Sequence, residues 1–130
     1  DREVPYHASA SGKALLAHGH PLPAGRLTRL TERTRTTRPA LEADLRRCLE
    51  RGYAVADSEL EPGLVAVAAA VLGPDGRAVA AISVSGPTSR LTPREVARAG
   101  ALLVSECAAL SSPLPHHDPA RPSNRKEGAA

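Results

Sequence analysis

At 130 residues the chain is long enough for one folded unit with one core and leaves little room for a second. Hydrophobic residues make up 42% and charged residues 24%, and no apolar run approaches the roughly 20 residues a membrane-spanning helix needs, so the expectation is a soluble globular domain. The net charge is +3, with 15 of the 17 basic residues Arg and eight of those between Arg26 and Arg51. That concentration fits a solvated Arg-rich helix face or a nucleic-acid footprint, but no recognition helix, zinc knuckle or stacking aromatic accompanies it. Phe, Trp and Met are absent and there are only two Tyr, so the core must come from Leu, Val, Ile and 24 Ala. Each missing aromatic forgoes about 150–250 Å² of burial, and a small-residue core is expected.

Along the chain, Tyr6 to Ala17 reads as a small-residue turn feeding a short helix that opens near Ser11 and Gly12 and carries Leu15 and Leu16. Ser9 or Ser11 can cap it. After the breaker from Pro21 to Gly25, Leu27 and Leu30 predict a helical turn, and Thr31 to Thr37 a polar, basic connection. Leu41, Leu45, Cys48 and Leu49 recur at i, i+4, i+7 and i+8 from Pro39 onward, and Gly52 follows at the C′ position, so an amphipathic helix of about three turns is predicted. Tyr53 to Asp57 is a short strand, followed by the acidic loop Ser58 to Gly63. Leu64 to Leu72 and Arg77 to Ser85 flank Gly73-Pro-Asp-Gly76 and predict a β-hairpin. Thr92-Pro-Arg-Glu95 is a capping box with Pro at N1, opening a helix that buries Val96, Ala99, Leu103, Cys107 and Leu110. From Ser111 onward the Pro-rich, mixed-charge composition predicts a disordered tail.

A four-residue hairpin loop sets Leu72 opposite Arg77, Val67 opposite Ile82, Val65 opposite Val84 and Ala66 opposite Ser83. One face is then branched and apolar, while Ala66, Ala68, Ala70, Ala81, Ser83 and Ser85 share the other. The volume missing on that small-residue face is filled either by a closely packed helix or by a small molecule that uses Ser83 and Ser85 as hydrogen-bond partners. The first turn of the helix near Ser11 adds unpaired backbone N–H groups and the positive end of a dipole, which suit a carboxylate or serve only as an ordinary capped end.

Three segments carry a family resemblance: HASASGKALLA from His7 to Ala17, RGYAVADSELEPGL from Arg51 to Leu64, and AAISVSGPTSRLT from Ala80 to Thr92. In that order they resemble the effector-binding domain of the IclR-type bacterial transcriptional regulators, over about residues 5 to 112. The resemblance implies an α+β fold, a GAF-like curved antiparallel sheet flanked by helices and truncated at its N-terminal side. Residues 1–112 would be a partial effector-binding domain and 113–130 a disordered tail, without the winged helix-turn-helix that reads DNA. It further implies an effector pocket lined by Ser9, Ala10, Ser11, Gly12, Ala56, Asp57, Ala66, Ser83 and Ser85. Two positions depart from the family pattern: Ala56 stands where an acidic residue is common, and Ala70 where Pro often stands. The string from Asp57 to Leu64 looks most like the branch that regulates aromatic-acid catabolism, including the β-ketoadipate pathway. The implied partners are a small organic acid, an aromatic carboxylate among the candidates, and further copies of the chain, with DNA contacted only through the missing domain and no cofactor or membrane. The chain opens on Asp1 and not Met, the expectation for a piece of something longer, and without a signal peptide or cysteine framework the expected compartment is the cytoplasm. Cys48 and Cys107 are expected as free thiols on apolar helix faces.

The rival class is an enzyme: a small hydrolase, or a sensor module attached to a catalytic domain. His7, Ser9, Ser11 and Asp57 can be drawn as a triad, but there is no G-x-S-x-G elbow and His7 precedes Ser9 too closely to serve it as base. Gly12-Lys13 lacks the upstream Gly and following hydroxyl of a phosphate loop, so Lys13 reads as a solvated helix residue. His18, His20, His116 and His117 have no partners at zinc spacing and read as surface residues. Glu59 and Glu61 read as solvated loop charge or as partners of a nearby Arg such as Arg51.

Overall fold

A computed structural model of the chain describes residues 5–111; the tail expected over 113–130 lies outside the described residues. Helix α1 spans Ala10–Ala17, with Ser9 as its N-cap accepting from the Gly12 N–H. Its neighbour α2, Arg38–Arg51, has Thr37 as N-cap and Pro39 in its first turn, and it ends at Gly52 in the left-handed conformation (φ 95°) that glycine adopts without a Cβ clash. Three strands follow and form one antiparallel sheet in the order β1-β2-β3: β1 at Ala54–Asp57, β2 at Leu64–Leu72 and β3 at Ala78–Pro87. The chain closes with α3, Pro93–Leu110, whose N-cap Thr92 accepts from the Glu95 N–H as the capping box predicts. The fold is α+β, as expected. The helical turn predicted around Leu27 and Leu30 is absent: that stretch is irregular, with Leu27 buried beside Leu16, Leu41 and Leu45 and Leu30 exposed.

The hairpin differs from its predicted register by two residues. Ala66 pairs with Ser85, Val67 with Val84, Ala68 with Ser83 and Ala69 with Ile82. Arg77 belongs to the loop, because its carbonyl accepts from the Gly73 N–H at 2.8 Å, and a bulge between Val71 and Leu72 adds the second residue. A one-residue slip would have exchanged the faces; a two-residue slip preserves them.

The two faces carry different cores. On the branched face Val67, Ala69 and Val71 pack against Leu103 and Cys107 of α3. Gly100 lets α3 approach closely there, since a Cβ would lie 2.5 Å from the Tyr53 ring. The small-residue face takes α1: Ala10 and Ala14 meet Ala54, Ala56 and Ala68, with Ala17, Ala66, Ala70 and Ala81 around them. Two predicted core positions are exposed: Leu49 at 54%, in an open groove it lines with Leu16, Ala17 and Leu45, and Leu110 at 61%, the last residue of α3.

Candidate functional site

Alanine packing closes the small-residue face along most of α1 but not at its first turn. There a hollow of about 190 Å³ remains, lined by Ala8, Ser9, Ala10, Ser11, Ala56, Leu60, Leu64, Ala66, Ser83 and Ser85. Of the two fillings posed by the sequence, the packed helix is present along most of α1, and the remainder of the face is left open. Seven of the nine residues expected in a pocket line this hollow: Ser9, Ala10, Ser11, Ala56, Ala66, Ser83 and Ser85.

Gly12 and Asp57 are not brought to it. Gly12 is buried behind the turn, where an added Cβ would lie 2.5 Å from both Cα and the carbonyl oxygen of Tyr6, so its role is to let α1 start against that backbone. Strand alternation turns Asp57 away from Ala56. Its carboxylate reaches Arg33 Nη2 at 3.7 Å and accepts from the Ser58 hydroxyl at 3.2 Å. Sequence reasoning had not placed Leu60 and Leu64, which come from the acidic loop and the start of β2 and form the apolar wall.

Ser9 Oγ is committed to the Gly12 N–H at 3.0 Å, which leaves the hydroxyls of Ser11, Ser83 and Ser85 as the adjustable polar groups of the lining. The backbone N–H groups of Ala10 and Ser11 belong to the first helical turn and have no acceptor within the helix. A lining of serines, the first turn of a helix, and alanine and leucine walls suits a compact anion with an apolar body.

Behind the first turn lies a feature opposite to expectation. Lys13 is not solvated but 1% exposed. Its Nζ donates to Asp44 Oδ2 of α2 and to the Val55 carbonyl of β1, both at 2.9 Å, and lies 2.5 Å from Glu59 Oε1. The Glu59 contact is one of charge and not an aligned hydrogen bond, for Oε1 has no hydrogen-bond partner. Arg35 closes a ring of alternating charge, its Nε donating to Asp44 Oδ2 at 2.8 Å and its Nη2 lying 3.7 Å from Glu59 Oε2, while Arg47 also donates to Asp44. Burial alone would raise the Asp44 pKa, but the hydrogen bond and charge of Lys13, then Arg47 and Arg35, outweigh it and hold the carboxyl below its ordinary value. Arg51, the partner suggested for the acidic loop, instead lies over the Tyr53 ring at 5.0 Å. One signal for the ring was present in the sequence: Asp44 stands three residues after Leu41 and four before Cys48, a charge inside the buried stripe of α2.

The triad drawn from His7 and Ser9 does not assemble. His7 is buried and donates from Nε2 to the Thr28 carbonyl at 2.7 Å, while Ser9 Oγ caps α1. His20 is partly buried, not a free surface residue, and donates from Nε2 to the Ala78 carbonyl at 3.2 Å. Among the described residues no three His, Cys, Asp or Glu gather as metal ligands, and no helix is long and apolar enough to cross a membrane. Cys48 and Cys107 are free and buried, and burial pushes both thiols up in pKa.

Residues 2–112 match the family described as the C-terminal domain of the bacterial transcriptional regulator IclR. The chain is 46% identical over 92 residues to the HTH-type transcriptional regulator BhcR of Paracoccus denitrificans, covering 66% of this chain and 33% of that protein. Its fold is similar to that of the repressor BlcR of Agobacterium tumefaciens, with TM-score 0.77 and 29% identity over 83% of this chain and 46% of that one. It is also similar to the inducer-binding domain of the PobR transcription factor from Acinetobacter, solved as a double mutant in complex with 3-hydroxybenzoic acid, with TM-score 0.68 and 27% identity over 82% of this chain and 64% of that one. The chain therefore spans less than half the length of BhcR and BlcR.

Proposed function

The chain belongs to the C-terminal domain family of the bacterial IclR transcriptional regulators, and from that premise we propose that it is the effector-sensing part of such a regulator, binding a small organic acid in the hollow between α1 and the sheet. The observation that carries this is the hollow itself: alanines of α1 pack on the small-residue face, yet a space bounded by the first turn of α1 and by Ser83 and Ser85 stays open. About 190 Å³ corresponds to roughly six water molecules at ~30 Å³ each, which favours a compact acid over a large ligand. Its carboxylate would take the Ser11, Ser83 and Ser85 hydroxyls and the first-turn N–H groups, and its carbon skeleton Leu60 and Leu64. Gly12 shapes the site from behind by letting α1 start against the Tyr6 backbone, and Asp57 lies outside it. The family is one of regulators, which sets the hydrolase alternative aside.

Regulation follows from a difference in affinity between two arrangements. An acid that binds one arrangement about 1.4 kcal/mol more tightly changes their ratio tenfold, an amount that one charge-assisted hydrogen bond can supply. The outcome would be read through a DNA-binding domain outside this chain and through association of several copies in the cytoplasm. A monocyclic aromatic acid is the second reading, favoured by the fold shared with a domain solved with 3-hydroxybenzoic acid. Calorimetry on the full-length regulator with pyruvate, protocatechuate and 4-hydroxybenzoate tests both. Binding of at least one acid is expected, tighter binding of pyruvate removes the aromatic reading, and binding of none removes the effector assignment.

A further inference from the structure

We propose that Glu59, locked by Lys13, is a positioning residue that sets the width of the hollow and thereby the size of acid admitted; this rests on reading the hollow as the effector site. Glu59 immediately precedes Leu60, which walls the hollow, and Lys13 follows directly on the first turn of α1 that forms the opposite rim. The ion pair at 2.5 Å therefore ties the two sides together from behind.

Two observations set this pair apart from a stabilising salt bridge. Its side chains are almost wholly withdrawn from water, Lys13 at 2% and Glu59 at 5% exposure, where the loss of hydration offsets most of the Coulombic gain. The product of such a pair is placement more than stability. The second is the conformation it maintains. Ser58 has φ +59°, in the left-handed region that a residue with a Cβ seldom occupies, and such a backbone persists only where its surroundings over-determine it. Here they do. Thr31 Oγ1 donates to the Ser58 carbonyl at 2.6 Å, Thr34 Oγ1 to the Glu59 carbonyl at 2.7 Å, and the Asp57 N–H to Glu59 Oε2 at 3.2 Å. The backbone is pinned on one side by threonines and the side chain on the other by Lys13 and Arg35. The loop's own bonds, Ser58 N–H to the Leu64 carbonyl at 2.8 Å and Gly63 N–H to Ser58 Oγ at 3.1 Å, hold its two ends to each other but not to α1. Removing the Lys13 contact takes away the tie between Glu59 and α1, Leu60 moves outward, and the hollow widens.

The test uses the full-length regulator as wild type, as Glu59→Gln, and as the double variant Lys13→Met/Glu59→Met, which removes both charges together and leaves neither uncompensated. Two quantities are read: the affinity ratio of 4-hydroxybenzoate to pyruvate by calorimetry, and amide exchange over residues 58–64. In both variants the ratio is expected to move at least tenfold toward the larger acid, and exchange over the loop to rise at least tenfold while that of α3 stays unchanged. A general loss of structure would weaken both acids alike and leave the ratio where it was. A ratio within twofold of wild type overturns the proposal. If the wild type binds neither acid, the effector reading fails by itself, and unchanged loop exchange then overturns the locking role independently.

Discussion

Lys13 carries the sharpest consequence at the scale of single residues. A solvated helix lysine changed to Met would alter stability by a few tenths of a kcal/mol. Losing the buried one takes from Asp44 and Glu59 the most buried of the cations around them and leaves Arg35 at the partly exposed side, so Lys13→Met is expected to cost about 3–5 kcal/mol, read as a lowered urea midpoint at unchanged slope. Gly12→Ala is expected to invert a general rule: alanine in a helix interior ordinarily improves on glycine by about 1 kcal/mol, but here its Cβ meets the Tyr6 backbone at 2.5 Å and the variant should be the less stable one. Acid sensitivity follows from two groups. Burial holds the His18 pKa below its ordinary 6.5, so the neutral ring stabilises the fold above that pH and the contribution is lost as pH falls through the folded value. Asp44, held below its ordinary 3.8, stabilises above that pH and loses its contribution further down. The melting temperature is therefore expected to decline in two stages, one starting near pH 6.5 and one below pH 4, and His18→Gln should remove only the first. Apart from Asp44 standing inside the buried stripe of α2, none of this was legible from local sequence. Gly12-Lys13 looks like any exposed helix start, and the carboxylate that buries Lys13 lies 31 residues away on another helix.

Local rules fared better for the secondary elements. The caps at Ser9 and Thr92, Pro at the start of α3, Gly52 beyond α2 and the hairpin were readable because each depends on residues within one turn of one another. Ser9→Ala is expected to cost about 1 kcal/mol, measurable as a thermal shift, because the Gly12 N–H then lacks its acceptor. The hairpin slipped by two residues because loop closure at Arg77 and the bulge at Val71 and Leu72 depend on backbone geometry that Gly73-Pro-Asp-Gly76 does not specify. The small-residue face survived that error, since its identity depends only on parity. At the sheet's described margin, β3 shows Ile82 and Val84 at 36% and 42% exposure on the branched face, with the hydrogen-bonding groups of an edge strand beside them. Such an edge is a template for pairing. Sedimentation of this chain alone is expected to show concentration-dependent association that Ile82→Lys suppresses, and a strictly monomeric wild type would contradict it.

On the scale of the whole molecule, the domain is a sheet whose branched face is covered along β2 by α3, with Ile82 and Val84 left exposed, and whose small-residue face keeps an open hollow. Leu103 and Cys107 of α3 supply volume on the first, whereas on the second α1 brings alanines and stops short of Ser83 and Ser85. The scarcity of aromatics in the sequence becomes, in the fold, close helix-to-sheet contact along α1 and a small space at its first turn. That the hollow would gather Ser9, Ser11, Ala66, Ser83 and Ser85 was foreseeable from alternation and family likeness together; that Leu60 closes it was not, because the acidic loop has no periodicity to orient its side chains. The most direct test fills the space. In the full-length regulator, Ala66→Leu places a larger side chain among the lining residues while leaving the Lys13 ring and the α1 cap untouched. Against whichever acid the wild type binds, calorimetry is expected to show affinity reduced at least tenfold at an unchanged far-ultraviolet spectrum. Affinity equal to that of the wild type in a folded Ala66→Leu variant would place the effector elsewhere and contradict the assignment.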